Sequence, residues 1–475
     1  MLEQPTSAYS MPAHDRLPIC RVVLVSLFLL FLLTDAQAGE ESAKTKNIPE
    51  QFLHNATYTV ETATPVFWRD FPSPQHEFVD DSFVAFWSRA TVKTEASLTK
   101  SLRSKIALYT GATTNESELR GVFAPPNNKE LYAPYVDFKE ANVRYEQKAF
   151  AVLLGRAPCN VGLSTLYSPA DRYRTLNLVN PMHIDDLGAW QASLDWFMGE
   201  NTLRFSVLPF EESSPAPHGH SRWVGTAQKD FQIESSVSQA GGIAAGATGL
   251  FIPPLVTPRT ALRNRPGFLA KYSGVATGLD YFASAHVGPS IYSVMQNPSP
   301  GDFVIEIPYA ATFSAGLTFT RGPLEVHAES PWQVTAGGDD QDFLRYVIGA
   351  SYRETTWAEG LHLNEITPVV EYAGEWVTDQ QHSPGVSVDS TNTRPFRNTL
   401  LFKMDVMAND KCTASVGGIR NFTSRDYAQA IGLEYKPNYN LTLKLHAVFF
   451  GGPSNSPFGR WDRNDHLEIS AKKTF

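Results

Sequence analysis

The chain has 475 residues and a formal net charge of −9; 42% of it is hydrophobic, 12% aromatic and 19% charged. A mean hydropathy of −0.23 is too low for a polytopic helical membrane protein, whose spans each need about 20 apolar residues. The acidic balance argues against a dedicated nucleic-acid binder, and the aromatic content excludes general disorder.

The N-terminus reads as a targeting segment. Arg16 and Arg21 precede an apolar run from Val22 to Leu33, followed by Ala36-Gln37-Ala38 and Gly39. A basic region, a short apolar core and small residues at −3 and −1 predict a signal peptide over residues 1–38. The run of 12 residues is too short to span a bilayer comfortably. Cys20 would leave with that segment, so an exported chain would carry only Cys159 and Cys412.

From there the sequence breaks into segments of about ten residues with strict alternation, a period that would scatter apolar groups around a helix. Ala311, Phe313, Ala315, Leu317 and Phe319 alternate with polar or small residues, and so do Leu441, Leu443, Leu445, Ala447 and Phe449. The last segment places Leu467, Ile469, Ala471 and Phe475 on one side. Strands are expected near 54–64, 82–97, 101–110, 133–146, 149–156, 189–198, 202–210, 266–274 and 277–288. A second set is expected near 310–320, 324–333, 343–354, 361–377, 396–407, 411–421, 426–435, 440–451 and 466–475. That makes 18, with 16 as the nearest alternative.

The connectors alternate too. Gly199-Glu200-Asn201, Arg321-Gly322-Pro323, Ala408-Asn409-Asp410 and Lys436-Pro437-Asn438-Tyr439 read as tight turns. Longer polar loops, at 157–188, 211–265, 289–309, 378–395 and 452–465, fall between the hairpins. Short and long connections in turn predict an all-β fold, a transmembrane antiparallel up-and-down β-barrel in one domain over 39–475. A β-sandwich would have short connections at both ends. Because hydrocarbon offers backbone groups no partners, only a closed sheet survives there, with apolar side chains facing lipid and polar ones the lumen. The expected location is the bacterial outer membrane.

Three short motifs resemble a known family: Asp137-Phe138-Lys139-Glu140-Ala141, then Leu154-Gly155-Arg156, then Leu178-Val179-Asn180-Pro181. Tyr346-Val347-Ile348-Gly349 with Val370-Glu371-Tyr372, and Phe450-Gly451-Gly452 with Ser456-Pro457-Phe458-Gly459, extend the likeness. They resemble the 18-stranded porin-like proteins related to the alginate-export barrel, over most of 133–475. The terminal Phe475 resembles the signal by which the barrel-assembly machinery recognises such proteins for insertion. The resemblance implies a channel, with export of an alginate-like polysaccharide as one alternative. A barrel sheathing a periplasmic electron-transfer partner is another.

An alginate-type exporter is expected to have a strongly cationic lumen, and this chain departs from that. Inward parity places Arg204, Arg345 and Arg353 together with Glu325, Glu365, Glu371 and Glu375. Such a mixed lining suits an eyelet for small polar solutes, or cross-strand ion pairs that stiffen the wall. Ser235 to Pro258 is 24 residues without a charge and contains Gly241, Gly242, Gly246 and Gly249. That composition suggests a loop, within 211–265, folded into the pore as a constriction, with an exposed or partner-facing loop as the alternative. His218-x-His220 and the acidic trio Asp339, Asp340 and Asp342 are incomplete as metal sites and read as solvated loop charge. No arrangement points to catalysis, a cofactor or a metal. Cys159 and Cys412 should lie at opposite mouths as free thiols. The sequence carries no signal of oligomeric state.

Overall fold

A computed structural model describes residues 48–71, 80–114, 136–171, 173, 175–210, 212, 221–224, 259–261, 265–290, 292, 294–299, 302–382, 386–387, 394 and 396–475. After a short helix α1 (Ile48–His54), the chain forms the barrel strands β1 (Thr57–Phe67), β2 (Trp87–Ser97), β3 (Leu102–Thr113), β4 (Val136–Glu146), β5 (Phe150–Ala157) and β6 (Ala189–Met198). Next come β7 (Asn201–Leu208), β8 (Gly267–Ala276), β9 (Leu279–Pro289), β10 (Tyr309–Arg321), β11 (Leu324–Thr335) and β12 (Asp342–Tyr352). The circuit ends with β13 (Glu365–Asp379), β14 (Asn398–Asn409), β15 (Cys412–Asn421), β16 (Tyr427–Asn438), β17 (Leu441–Gly451) and β18 (His466–Thr474). Every strand pairs antiparallel with its neighbours in sequence, and β1 pairs with β18 from Thr59↔Thr474 to Phe67↔His466. The 18-stranded sheet is therefore closed.

Closure satisfies the edges that an open sheet would leave unpaired. The register also fixes sidedness. Leu154, Trp196, Phe205, Phe313, Ile348, Trp376, Ile431 and Ile469 point outward and are exposed. So continuous an apolar outer band is far beyond what a water-soluble surface carries, and lipid is the solvent that matches it.

The two ends differ, as the alternation predicts. Turns at Gly199 and Gly322 take the left-handed conformation (φ 65° and 60°), which costs glycine little. Regularity fails in three places. The β12–β13 connection, on the short-turn end, is lengthened by a helical turn, α2 (Thr356–Gly360), while the loops at 336–341 and 422–426 are short. A small four-stranded sheet, built from Arg259–Ala261, Val294–Ser299, Asp302–Glu306 and Val386–Ser387, ties the loops after β7, β9 and β13 together. Among the described residues no helix is long and apolar enough to cross a membrane.

One loop departs from expectation. Segment 158–188, read from the sequence as an external loop, lies inside the lumen. The segment expected to enter the pore, with Gly241, Gly242, Gly246 and Gly249, lies outside the described residues, as do the signal segment and His218-x-His220.

Candidate functional site

Segment 158–188 leaves β5, crosses to the wall formed by β11–β13, and returns past β2–β4 and β18 to β6. It is a strap across the lumen. Its first limb buries Cys159, Val161, Ala170 and Tyr173 against Leu269 of β8 and Phe282 of β9. Lys271 Nζ donates to the Asn160 carbonyl (3.2 Å), and Tyr173 lies over His286, with ring centroids 4.5 Å apart. Burial pushes the Cys159 thiol up to about 11, because a thiolate there would lose its hydration.

The tip of the strap is held by two wall carboxylates. Glu329 on β11 accepts the backbone N–H groups of Leu163 (2.8 Å), Ser164 (3.3 Å) and Ala170 (3.2 Å). Glu371 on β13 accepts those of Thr165 (2.9 Å), Leu166 (2.7 Å) and Tyr167 (2.9 Å). His327 Nε2 bonds the same carboxylate at 2.9 Å. Both acids are buried, Glu371 completely. A buried carboxylate demands donors, and an irregular segment carries unpaired amides, so each satisfies the other. Leu166 and Tyr167 then pack on Val347, Ala373 and Leu401, the Arg345 guanidinium lying 5.4 Å from the Tyr167 ring.

The return limb is pinned by charge and stacking. Leu176–Asn177 pairs with Asp185–Asp186 in a two-rung hairpin. Asn177 Nδ2 donates to the Tyr109 hydroxyl (3.3 Å), and Asp185 pairs with both Arg89 and Lys139. His183 bonds Glu468 of β18 (2.8 Å) and stacks on Trp87, with centroids 4.6 Å apart and planes 14° from parallel.

The residues expected from parity to line the pore are distributed differently. Arg204 sits on Asp195 (2.5 Å), its partner in the β6–β7 register. Arg353 and Glu365 pair at 2.5 Å beside the β12–β13 connection, with Arg353 exposed. Glu325 lies 3.7 Å from His327 Nδ1 and keeps some exposure. Glu371 has no lumenal surface, because the strap covers it. Arg345 and Glu375 are likewise sealed, and Glu375 contacts Arg394 (3.0 Å) and Arg397 (2.9 Å). The acidic trio is not uniformly solvated either: Asp340 is buried on Arg394 (2.9 Å), and burial lifts its carboxyl above the usual range despite that arginine. Among the described residues no group of His, Cys, Asp and Glu suits a metal ion, and Cys159 and Cys412 are unpaired.

At the long-loop end, Arg222 and Trp223, from the loop after β7, clasp the β1–β18 seam. Arg222 stacks 3.3 Å from the Phe67 ring centre and donates to Asn464 (3.1 Å), the Ser82 carbonyl (2.9 Å) and the Arg463 carbonyl (3.2 Å). Trp223 packs among Phe67, Phe450, Trp461 and His466.

No family model and no curated protein matches the chain. Solved structures do. OccK3 (OpdO) of Pseudomonas aeruginosa is 9% identical, with 90% of this chain and 99% of that one covered and a TM-score of 0.47. A mutant of the Rh. blastica porin is 10% identical, covering 88% and 99%, with a TM-score of 0.40. OmpT, an outer membrane protein of Vibrio cholerae, is 7% identical, covering 88% and 97%, with a TM-score of 0.38. The fold itself rests on the strand pairing above; a relation to the alginate-export barrel is not among these likenesses.

Proposed function

We propose that this chain is an outer-membrane channel for passive passage of small polar solutes, narrowed by the strap at 158–188. The observation that carries the reading is that strap, fixed inside a closed, lipid-matched barrel by Glu329 and Glu371. A lumen crossed at this level suits small solutes better than a polymer, which disfavours polysaccharide export. The ion pairs along the wall, such as Asp195–Arg204 and Glu61–Arg89, give a polar lining without a single dominant sign.

The test is single-channel recording of the full chain in planar bilayers. Steady open steps are expected, and removal of the strap tip (161–170) should enlarge them. A silent barrel that binds a periplasmic protein would instead favour the sheath.

A further inference from the structure

The strap does not occupy the lumen evenly. At its level the inward side chains of the wall from β6 to β13 are dry: Asp195, Leu269, Ser284, Ser314, His327 and Val347 are all buried. On the opposite wall Ala63, Tyr109, Glu468 and Ser470 are buried too, but inward positions nearer the short-turn end keep water contact. Register places Lys403, Ser415, Glu434, Lys444 and Lys472 inward in succession from β14 to β18, and each is half-buried or exposed. Bulk is also low there, since Gly417 and Ala430 face each other across β15 and β16.

The acids of this wet sector are largely matched. Glu61 holds Arg89 (2.5 Å), Asp405 holds Lys403 (2.7 Å), and Glu434 holds Lys436 (2.6 Å) and Lys444 (3.0 Å). Lys93, Arg103 and Lys472 are exposed and make no ion pair among the described residues, and Glu95 is the one acid there in the same condition.

We propose that the water path is eccentric, running along β14–β17, clear of the strap's return limb, and that Lys93, Arg103 and Lys472, exposed toward its short-turn mouth, bias it toward small anions. This rests on the channel reading. Unpaired cations beside a path sealed on its other side raise the local anion concentration, whereas matched pairs cancel at short range.

The experiment uses the full chain with Cys412→Ser, reconstituted in planar bilayers, and single cysteines at Ser415 or Lys472 (wet wall) and Ser284 or Ser314 (dry wall). A charged methanethiosulfonate reagent should cut conductance by about half at Ser415→Cys and Lys472→Cys, as for added bulk and charge in a pore. Ser284→Cys and Ser314→Cys should not respond. Block at the dry-wall positions without block at Ser415→Cys would overturn the eccentric path. In a KCl gradient the unmodified channel should show an anion-preferring reversal potential, which Lys93→Glu with Lys472→Glu should shift toward cations. A cation-preferring parent channel, or a potential unmoved by those reversals, would overturn the anion bias. If every variant is silent, the channel reading fails first and this inference falls with it.

Discussion

Glu371 is the acceptor on which the strap depends most, and its removal has a calculable cost. Glu371→Ala would strand the amides of Thr165, Leu166 and Tyr167 and the ring of His327 in a site without water. Each stranded donor costs about 1–3 kcal/mol, and breaking a buried, hydrogen-bonded charge typically costs about 3–5 kcal/mol after relaxation. Glu371→Gln keeps the volume and one carbonyl oxygen, so it should lose roughly half as much. The loss is local, because Glu329 still holds Leu163, Ser164 and Ala170 and the sheet pairing is untouched. Amide hydrogen exchange reads it directly, with the amides of β11 and β13 as an internal standard. At about 1.4 kcal/mol per tenfold, 3 kcal/mol makes the amides of Thr165, Leu166 and Tyr167 exchange over a hundredfold faster in Glu371→Ala. Channel recordings of the same variant should become noisier, with larger open steps. Strap exchange within threefold of the parent would refute the latch and leave apolar packing by Leu166 and Tyr167 as the holding force.

Other expectations follow from the same geometry. Gly349 lies between His327 and Glu371 in the β11–β12–β13 register, and an added Cβ would meet His327 Nε2 at 2.4 Å and Glu371 Cγ at 2.5 Å. Gly349→Val should therefore part that pair at a cost of about 1–3 kcal/mol, read as faster exchange at Thr165–Tyr167. Arg222→Ala removes a desolvated cation–π contact worth about 2 kcal/mol besides its hydrogen bonds, so protease should reach 221–224 in the variant before it does in the parent. In a Cys412→Ser background Cys159 should resist a thiol reagent at pH 8, since its thiol stays protonated until about 11. Labelling should appear after denaturation, and prompt labelling of the native protein would contradict the buried first limb.

Much of the barrel was legible because alternation is a strong signal when one face meets lipid. Leu441–Phe449 and Ala311–Phe319 could be assigned to strands, and their connectors to opposite ends, with no knowledge of partners. The strap was not legible in the same way. Residues 157–170, which include its tip, carry no charge, the same signal that drew attention to 235–258, but Asp171, Asp185 and Asp186 give the rest of the segment the composition of a polar loop. Nothing in the local sequence of β13 announces that Glu371 meets amides about 205 residues earlier in the chain. Parity gives the direction of Glu371 but not what stands in front of it. Arg345 and Glu375 are a parallel case: their pairing follows from neighbouring inward positions, whereas the sealing by Tyr167 and Arg394 comes from loops without a period.

The seam between β1 and β18 has a consequence for how the molecule comes into being. The first and last strands are neighbours, so the final rungs cannot form until nearly the whole chain is in place, and ordering so long a loop is slow. Phe67 lies on one side of the join and His466 on the other, with Trp223 and Arg222 from mid-chain packed over both. That cluster can assemble only once the circuit is complete, and it then resists lateral parting of the two strands. A chain cut short before His466 would lack both the last strand and the anchor for this clasp, leaving two sheet edges open to lipid.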